Sequence, residues 1–266
     1  MKRKPVTAGS TGLRCCSERW AAAWRRPGRG AALAFYAAAL AAAACGVAMA
    51  VRGYPGDFDW MYTVLSHLAS NRRNPEGGRW LSGAFIVAVV LLWPVVTRLG
   101  RRREEAEGGG AHRAHRAATF ALRAGLLGGA LLGMEGITGL RFSEYLHKAH
   151  EAIALLTFFA FYGGVLGHLV LRGRASRRFR LPAALVILPV LGVGFAQFGL
   201  YIDQRDLGWV NTDWRAQGVP LWMSFAFWQW AAAGGLAAGL AVLVYAAKEP
   251  RSGRMGADVR ADEKVP

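Results

Sequence analysis

Near the middle of the chain the sequence reads Glu144-Tyr145-Leu146-His147-Lys148-Ala149-His150-Glu151. At about 100° per residue on an α-helix, Glu144, His147, His150 and Glu151 fall within an arc of about 120° and share one face. Glu135 lies roughly one turn inside the end of the preceding apolar segment. Lipid penalises such a carboxylate unless it turns towards other helices and finds a partner, for which His147, His150 and Arg141 are the candidates. Imidazoles and carboxylates on adjacent helices form a donor set for a divalent transition metal, or for passing protons, because histidine titrates near neutrality. His147, His150, Glu151 and Glu135 are therefore the candidate metal ligands. The plainer alternative is a hydrogen-bonded interfacial cluster at a helix start, where carboxylates are favoured by the helix dipole. The absence of an H-E-x-x-H motif favours the plainer alternative.

A second group of polar residues lies in the segment 52–79. Asp57 or Asp59 can cap a short helix in which Trp60, Met61, Val64, Leu65 and Leu68 follow a 3.6-residue period, predicting a short helix along the membrane surface. Asn74-Pro75 and Gly77-Gly78 then predict a turn-rich return. Adjacent Ser66 and His67 suggest a nucleophile and its base, but neighbours on a helix diverge by about 100°, so a remote His147 or His150 would have to serve. With no Gly-x-Ser-x-Gly elbow, Ser66 is read as a capping or packing residue. A later loop, 203–220, adds Asp203 and Asp213. With Asp57 and Asp59 these carboxylates would form a cation-attracting mouth above the His and Glu face. Ordinary pairing with Arg205 and Arg215 would explain them equally well.

The elements that position these residues are six apolar stretches, at about 31–51, 80–96, 118–138, 146–171, 181–202 and 221–247. The first runs without a charge for long enough to cross a hydrocarbon core of ~30 Å at ~1.5 Å per residue. Backbone groups in lipid must be satisfied within the segment, and the alternation of a membrane barrel is missing, so all six are read as helices. The fold class expected is all-α, a polytopic transmembrane bundle of six helices with a short interfacial helix in the first outer loop. Lys and Arg number eight before the first span, six between spans two and three, five between four and five and five after the last, against four, two and two in the other three segments. This asymmetry places both termini in the cytoplasm, N-in and C-in, in a prokaryotic plasma (inner) membrane. A net charge of +16 is then explained by topology and anionic headgroups, making membrane lipids, and not nucleic acid, the expected partners. Tyr54, Trp60, Trp80, Tyr145, Tyr201, Trp209, Trp214 and Trp222 gather at the outer boundary as interfacial anchors.

Residues 1–30 and 248–266 are polar, basic and rich in Gly, Arg and Glu, which predicts solvated tails around a transmembrane domain at 31–247. The stretch 101–116 reads as a solvated linker that includes His112 and His115. The first span is expected to be a retained anchor, its apolar core being longer than that of a signal peptide. Cys15, Cys16 and Cys45 match no metal or disulfide spacing. Gly125, Gly129 and Gly133 predict one close-packing face on span three, and Gly163 with Gly167 and Gly235 with Gly239 repeat the pattern. Gln197 and Gln229 are expected to bond between helices.

The six spans, the Ser66-x-Leu68-x-Ser70 element, Asn74-Pro75 and the His-bearing start of span four resemble uncharacterised prokaryotic integral membrane proteins of the domain-of-unknown-function type. These are similar in layout to the DRAM and Sfk families. The resemblance covers 31–247 and implies a six-helix membrane fold without an activity to carry over. Ceramidase-like hydrolases fit poorly, because a seventh span and a late H-x-x-x-H pair are missing. The function expected is an integral membrane protein whose outward polar site engages lipid headgroups or a small polar ligand, in binding, sensing or membrane maintenance. One alternative is a metal-dependent membrane hydrolase of a lipid-like substrate, with Ser66 or a bound water as nucleophile. The other is a proton-coupled transporter in which Glu135 exchanges protons.

Overall fold

The computed structural model describes residues 24, 27–104, 110–139, 149–205 and 220–246, and within these the backbone of 102–104, 110, 151 and 200–205. Among them are seven α-helices: α1 (Arg29–Arg52), α2 (Leu65–Ala69), α3 (Gly78–Glu104), α4 (Gly110–Thr138), α5 (Ala149–Ala175), α6 (Arg180–Arg205) and α7 (Phe225–Tyr245). Short 3-10 turns at Arg177–Phe179 and Leu221–Met223 lead into α6 and α7, and no strand occurs among the described residues. All helices but α2 are long and apolar enough to cross a membrane. The chain is a multi-pass membrane protein built as a six-helix bundle.

Its surface shows why it needs lipid. Phe120 is 73% exposed, Leu156 69% and Leu181 67%, a distribution that water would not tolerate over so many large side chains. Inside, α3 packs between α1 and α4, α4 packs on α5, and α7 closes the bundle against α6, α5 and α1. Helix α7 is held by two tyrosines. The Tyr36 hydroxyl donates to the Ala237 carbonyl at 2.6 Å and the Tyr162 hydroxyl to the Ala232 carbonyl at 2.7 Å. Helix α6 is peripheral, with only 17% of its apolar window buried in the protein.

The glycines pack closely but not on the single face expected. At Gly125 a Cβ would stand 2.6 Å from the Phe161 ring of α5, whereas at Gly133 it would stand 2.8 Å from Ile86 of α3. A four-residue step turns about 40° beyond a full helical turn, so eight residues turn the glycine row about 80°, from one neighbour to the other. Gly128 also faces α5, where a Cβ would meet the Thr157 hydroxyl oxygen at 2.0 Å. On α5 the close positions are Gly164, against Leu122, and the expected Gly167, where a Cβ would stand 3.0 Å from the Ala118 Cβ, while Gly163 faces open space. Gly239 is close-packed against Val165 and Val186, and Gly235 is looser.

Helix also covers most of the 101–116 stretch expected as a solvated linker: α3 continues to Glu104 and α4 begins at Gly110. Arg, Ala and Glu are strong helix formers, so their charge did not interrupt the helices. His115, expected in water, is 2% exposed. At this arginine-rich end, Arg98 donates to the Pro27 carbonyl and Arg172 donates to the Leu243 carbonyl of α7 at 2.9 Å. Arg172 thereby satisfies a carbonyl in the last turn of α7, where a cation also opposes the helix dipole.

The opposite end is covered by the segment between α1 and α3. Asn74, fully buried, donates through Nδ2 to the carbonyls of Ala50 (2.8 Å) and Leu68 (3.0 Å) and accepts at Oδ1 from the Gly77 N–H (3.0 Å). Asn71 donates to the Gly136 carbonyl at the end of α4. Gln229 of α7 accepts from the Leu65 N–H at 2.8 Å, and Trp230 donates to the Thr63 carbonyl at 3.0 Å. The Ser224 hydroxyl caps α7 by accepting from the Phe227 N–H and donates to the Met61 carbonyl. The segment is thus bonded to α1, α4 and α7. Its helix is shorter than the periodicity predicts, because Asp59 closes a turn, accepting from the Met61 N–H at 2.9 Å, and helix begins only at Leu65.

Candidate functional site

At the end opposite the arginines an ionisable pair joins α4 and α5. His150 Nδ1 lies 2.7 Å from Glu135 Oε2, with the Glu135 side chain 12% exposed and that of His150 43% exposed. Glu135 is positioned by the close of α4. Its carbonyl accepts from the Gly139 N–H at 2.9 Å, and Gly139 stops the helix at φ 72°, a left-handed conformation that glycine adopts without a Cβ penalty. The neighbouring Gly136 carbonyl is the one held by Asn71, so the covering segment and the acidic group share one turn of α4. His150 is in the first turn of α5. The carboxylate has found the partner that its cost in lipid demands, and the imidazole remains open to approach.

A second polar pair spans the same two helices at the arginine-rich end. His115 of α4 and His168 of α5 are 2% and 0% exposed, and their rings meet edge to face with centroids 4.5 Å apart. The Thr119 hydroxyl donates to the His115 carbonyl at 3.0 Å, which leaves its oxygen to accept from His168 Nε2 at 3.3 Å. His115 Nε2 lies 3.1 Å from the Leu99 carbonyl and donates to it. This hydrogen-bond pattern has each ring donating through Nε2. The signal for the pair is present in the sequence. His115 and Thr119 extend the buried stripe of Leu122 and Leu126 at helical spacing, and His168 is an ionisable group inside an apolar span.

No family model, curated protein or solved structure matches this chain. The residues themselves carry the functional argument.

The structure brings Glu135 and His150 together and scatters other predicted residues. Asp57 is exposed, while Asp59 is committed to its own turn, which Trp60 joins to Phe227 of α7 with ring centroids 6.1 Å apart. Ser66 is exposed in the short helix α2. Beside it His67 receives a long hydrogen bond of 3.5 Å from Arg73, and partial burial, followed by the Arg73 charge, lowers its pKa from the ordinary 6.5. Glu151 lies in α5 and Asp203 in α6, both among the residues described by backbone alone. His147 and Asp213 lie outside the described residues. Among the described residues no group of three or more His, Cys, Asp or Glu is arranged to hold a metal ion. Of the two glutamines expected to bond between helices, Gln229 binds the backbone of the covering segment and Gln197 sits on the exposed face of α6. Among the expected anchors, Trp60, Trp80 and Trp222 are exposed, Tyr54 packs on Phe58, and the others lie outside the described side chains.

Proposed function

We propose that this multi-pass protein lies in a prokaryotic plasma membrane with its arginine-rich end in the cytoplasm. In this reading, Glu135 and His150 form an outward site for a lipid headgroup or a small polar ligand. The role is binding, sensing or membrane maintenance. The observation that carries it is the Glu135–His150 pair, a mostly buried carboxylate under a half-open imidazole at 2.7 Å. Such a pair offers an anion to a ligand ammonium and, when the imidazole is protonated, a cation to a phosphate or carboxylate. His147, Glu151 and the loop carboxylates Asp57, Asp59, Asp203 and Asp213 complete the proposed surroundings.

Thermal stability of the purified full chain in mild detergent, with soluble phosphocholine, phosphoethanolamine or glycerol phosphate added, tests the reading. At least one of these raises the melting temperature of the parent, and Glu135→Gln and His150→Gln abolish that rise. A rise that persists in both variants, or none with any of the three compounds, refutes it.

One observation favours proton-coupled transport as the second reading: the Glu135–His150 and His115–His168 pairs stand at opposite ends of one helix–helix interface. Proton uptake into proteoliposomes that is lost in Glu135→Gln would replace the binding role with transport.

A further inference from the structure

A groove of about 650 Å3 opens between α1 and α3. It lies within the ~300–1,000 Å3 range of small-molecule sites. Its base forms where Gly46 lets the helices close, since a Cβ there would stand 2.3 Å from the Ala84 Cβ. Gly83 leaves the space open, as a Cβ there would meet nothing nearer than Ile137 Cδ1 at 4.0 Å. The mouth is made by Glu76, Arg79 and Trp80, all exposed, at the end opposite the arginine-rich one. From Arg79 to Val87 the wall descends about 12 Å along α3. That is most of the ~15 Å that one leaflet contributes to a hydrocarbon core of ~30 Å.

An apolar wall of this depth suits one acyl chain, but exchanging one lipid tail for another on it gains no hydrophobic free energy. Discrimination therefore falls to the mouth. The Arg79 guanidinium matches the oxygens of a phosphate, and the Glu76 carboxylate at the same mouth matches an ammonium and repels a second anion. We propose that this groove binds a glycerophospholipid whose headgroup carries both a phosphate diester and a primary ammonium, the phosphoethanolamine type, with one acyl chain lying along Gly83. Ile137 of α4 also lines the groove, but neither Glu135 nor His150 does, so the proposal stands whether or not that pair binds a ligand.

The full chain is reconstituted in nanodiscs with equal phosphoethanolamine, phosphoglycerol and phosphocholine lipids of matched acyl chains. It is then gently re-extracted, and the retained lipid is measured by mass spectrometry. The parent enriches the phosphoethanolamine lipid about threefold over each of the others, the scale of one exposed ion pair. Glu76→Lys, at an exposed position, moves the preference to phosphoglycerol, Gly83→Phe lowers the total retained, and Glu135→Gln leaves the pattern unchanged. Equal retention of the three headgroups by the parent, unchanged enrichment in Glu76→Lys, or unchanged retention in Gly83→Phe overturns the proposal. A change in Glu135→Gln alone would do the same by moving the lipid to the other site.

Discussion

Asn74 is the residue whose replacement tests the architecture of the covered end most directly. Its fully buried amide makes three hydrogen bonds, to Ala50 O, Leu68 O and Gly77 N. Asn74→Ala removes all three, and at ~0.5–1.5 kcal/mol net for each bond the loss is about 3 kcal/mol. For a domain of this size, ~2–4 °C per kcal/mol makes the expected fall in melting temperature roughly 6–12 °C. Asn74→Asp separates chemistry from volume. It keeps an acceptor for the Gly77 N–H but sets a carboxylate oxygen against the Ala50 and Leu68 carbonyls, so at neutral pH it should be less stable than Asn74→Ala. Burial against the Ala50 and Leu68 carbonyls, with the Gly77 N–H alone as donor, raises the folded-state pKa of that new carboxyl above its unfolded value. Its proton is then held more tightly in the folded state, so the stability of Asn74→Asp rises as pH falls, while that of Asn74→Ala does not share the slope. Thermal unfolding of the full chain in mild detergent at pH 5 and pH 7.5 reads both effects. An Asn74→Ala protein melting within about 2 °C of the parent, or an Asn74→Asp protein as stable as the parent at pH 7.5, would refute the reasoning.

Gly128→Ala places a methyl group where the Thr157 oxygen now lies 2.0 Å from an ideal Cβ, so it should cost about 1–3 kcal/mol, and Thr157→Ala in the same chain should recover much of it; additive thermal shifts would argue against the contact. Thr119→Val keeps the shape but leaves the His168 N–H facing a methyl group, for an expected loss of about 1–3 kcal/mol that Thr119→Ser largely avoids. Similar melting temperatures for the two Thr119 variants would show that the hydroxyl is idle. His67 has a folded pKa below 6.5, so on acidification the unfolded chain takes up its proton first and stability falls as pH drops through 6.5 and below. Replacing it by Gln should flatten that part of the stability profile, and an unchanged slope between pH 7.5 and pH 5.5 would assign the pH dependence to another group.

Elements with a one-dimensional signature were legible in the residues. Apolar runs of 17 to 27 residues, about the length a hydrocarbon core requires, identify six helices because no alternative satisfies their backbones in lipid. The demand that Glu135 find a partner follows from the same desolvation cost, and of the three candidates His150 meets it. What escaped depends on where helices face each other. The glycine row on α4 serves two neighbours because its rotation accumulates, and a spacing of four does not say when the neighbour changes. His115 looked solvated among arginines, yet those arginines occupy the outer faces of a helix whose inner face carries His115, Thr119 and Leu122. Asn74 read as a turn former from its Asn-Pro pair, but the partners of its side chain come from three separate stretches of chain.

The bonds between the covering segment and α7 join residues 163 to 167 positions apart, from Met61 to Ser224 and from Thr63 to Trp230. During synthesis at ~5–20 residues per second, the amides and carbonyls of Met61, Thr63 and Leu65 emerge about 8–30 s before the side chains that satisfy them. For that interval a finished pair of early spans carries an unfastened strap. Synthesis of α7 is therefore the event that fastens the segment joining α1 to α3, so the two spans made early are held to each other by the one made more than 160 residues later.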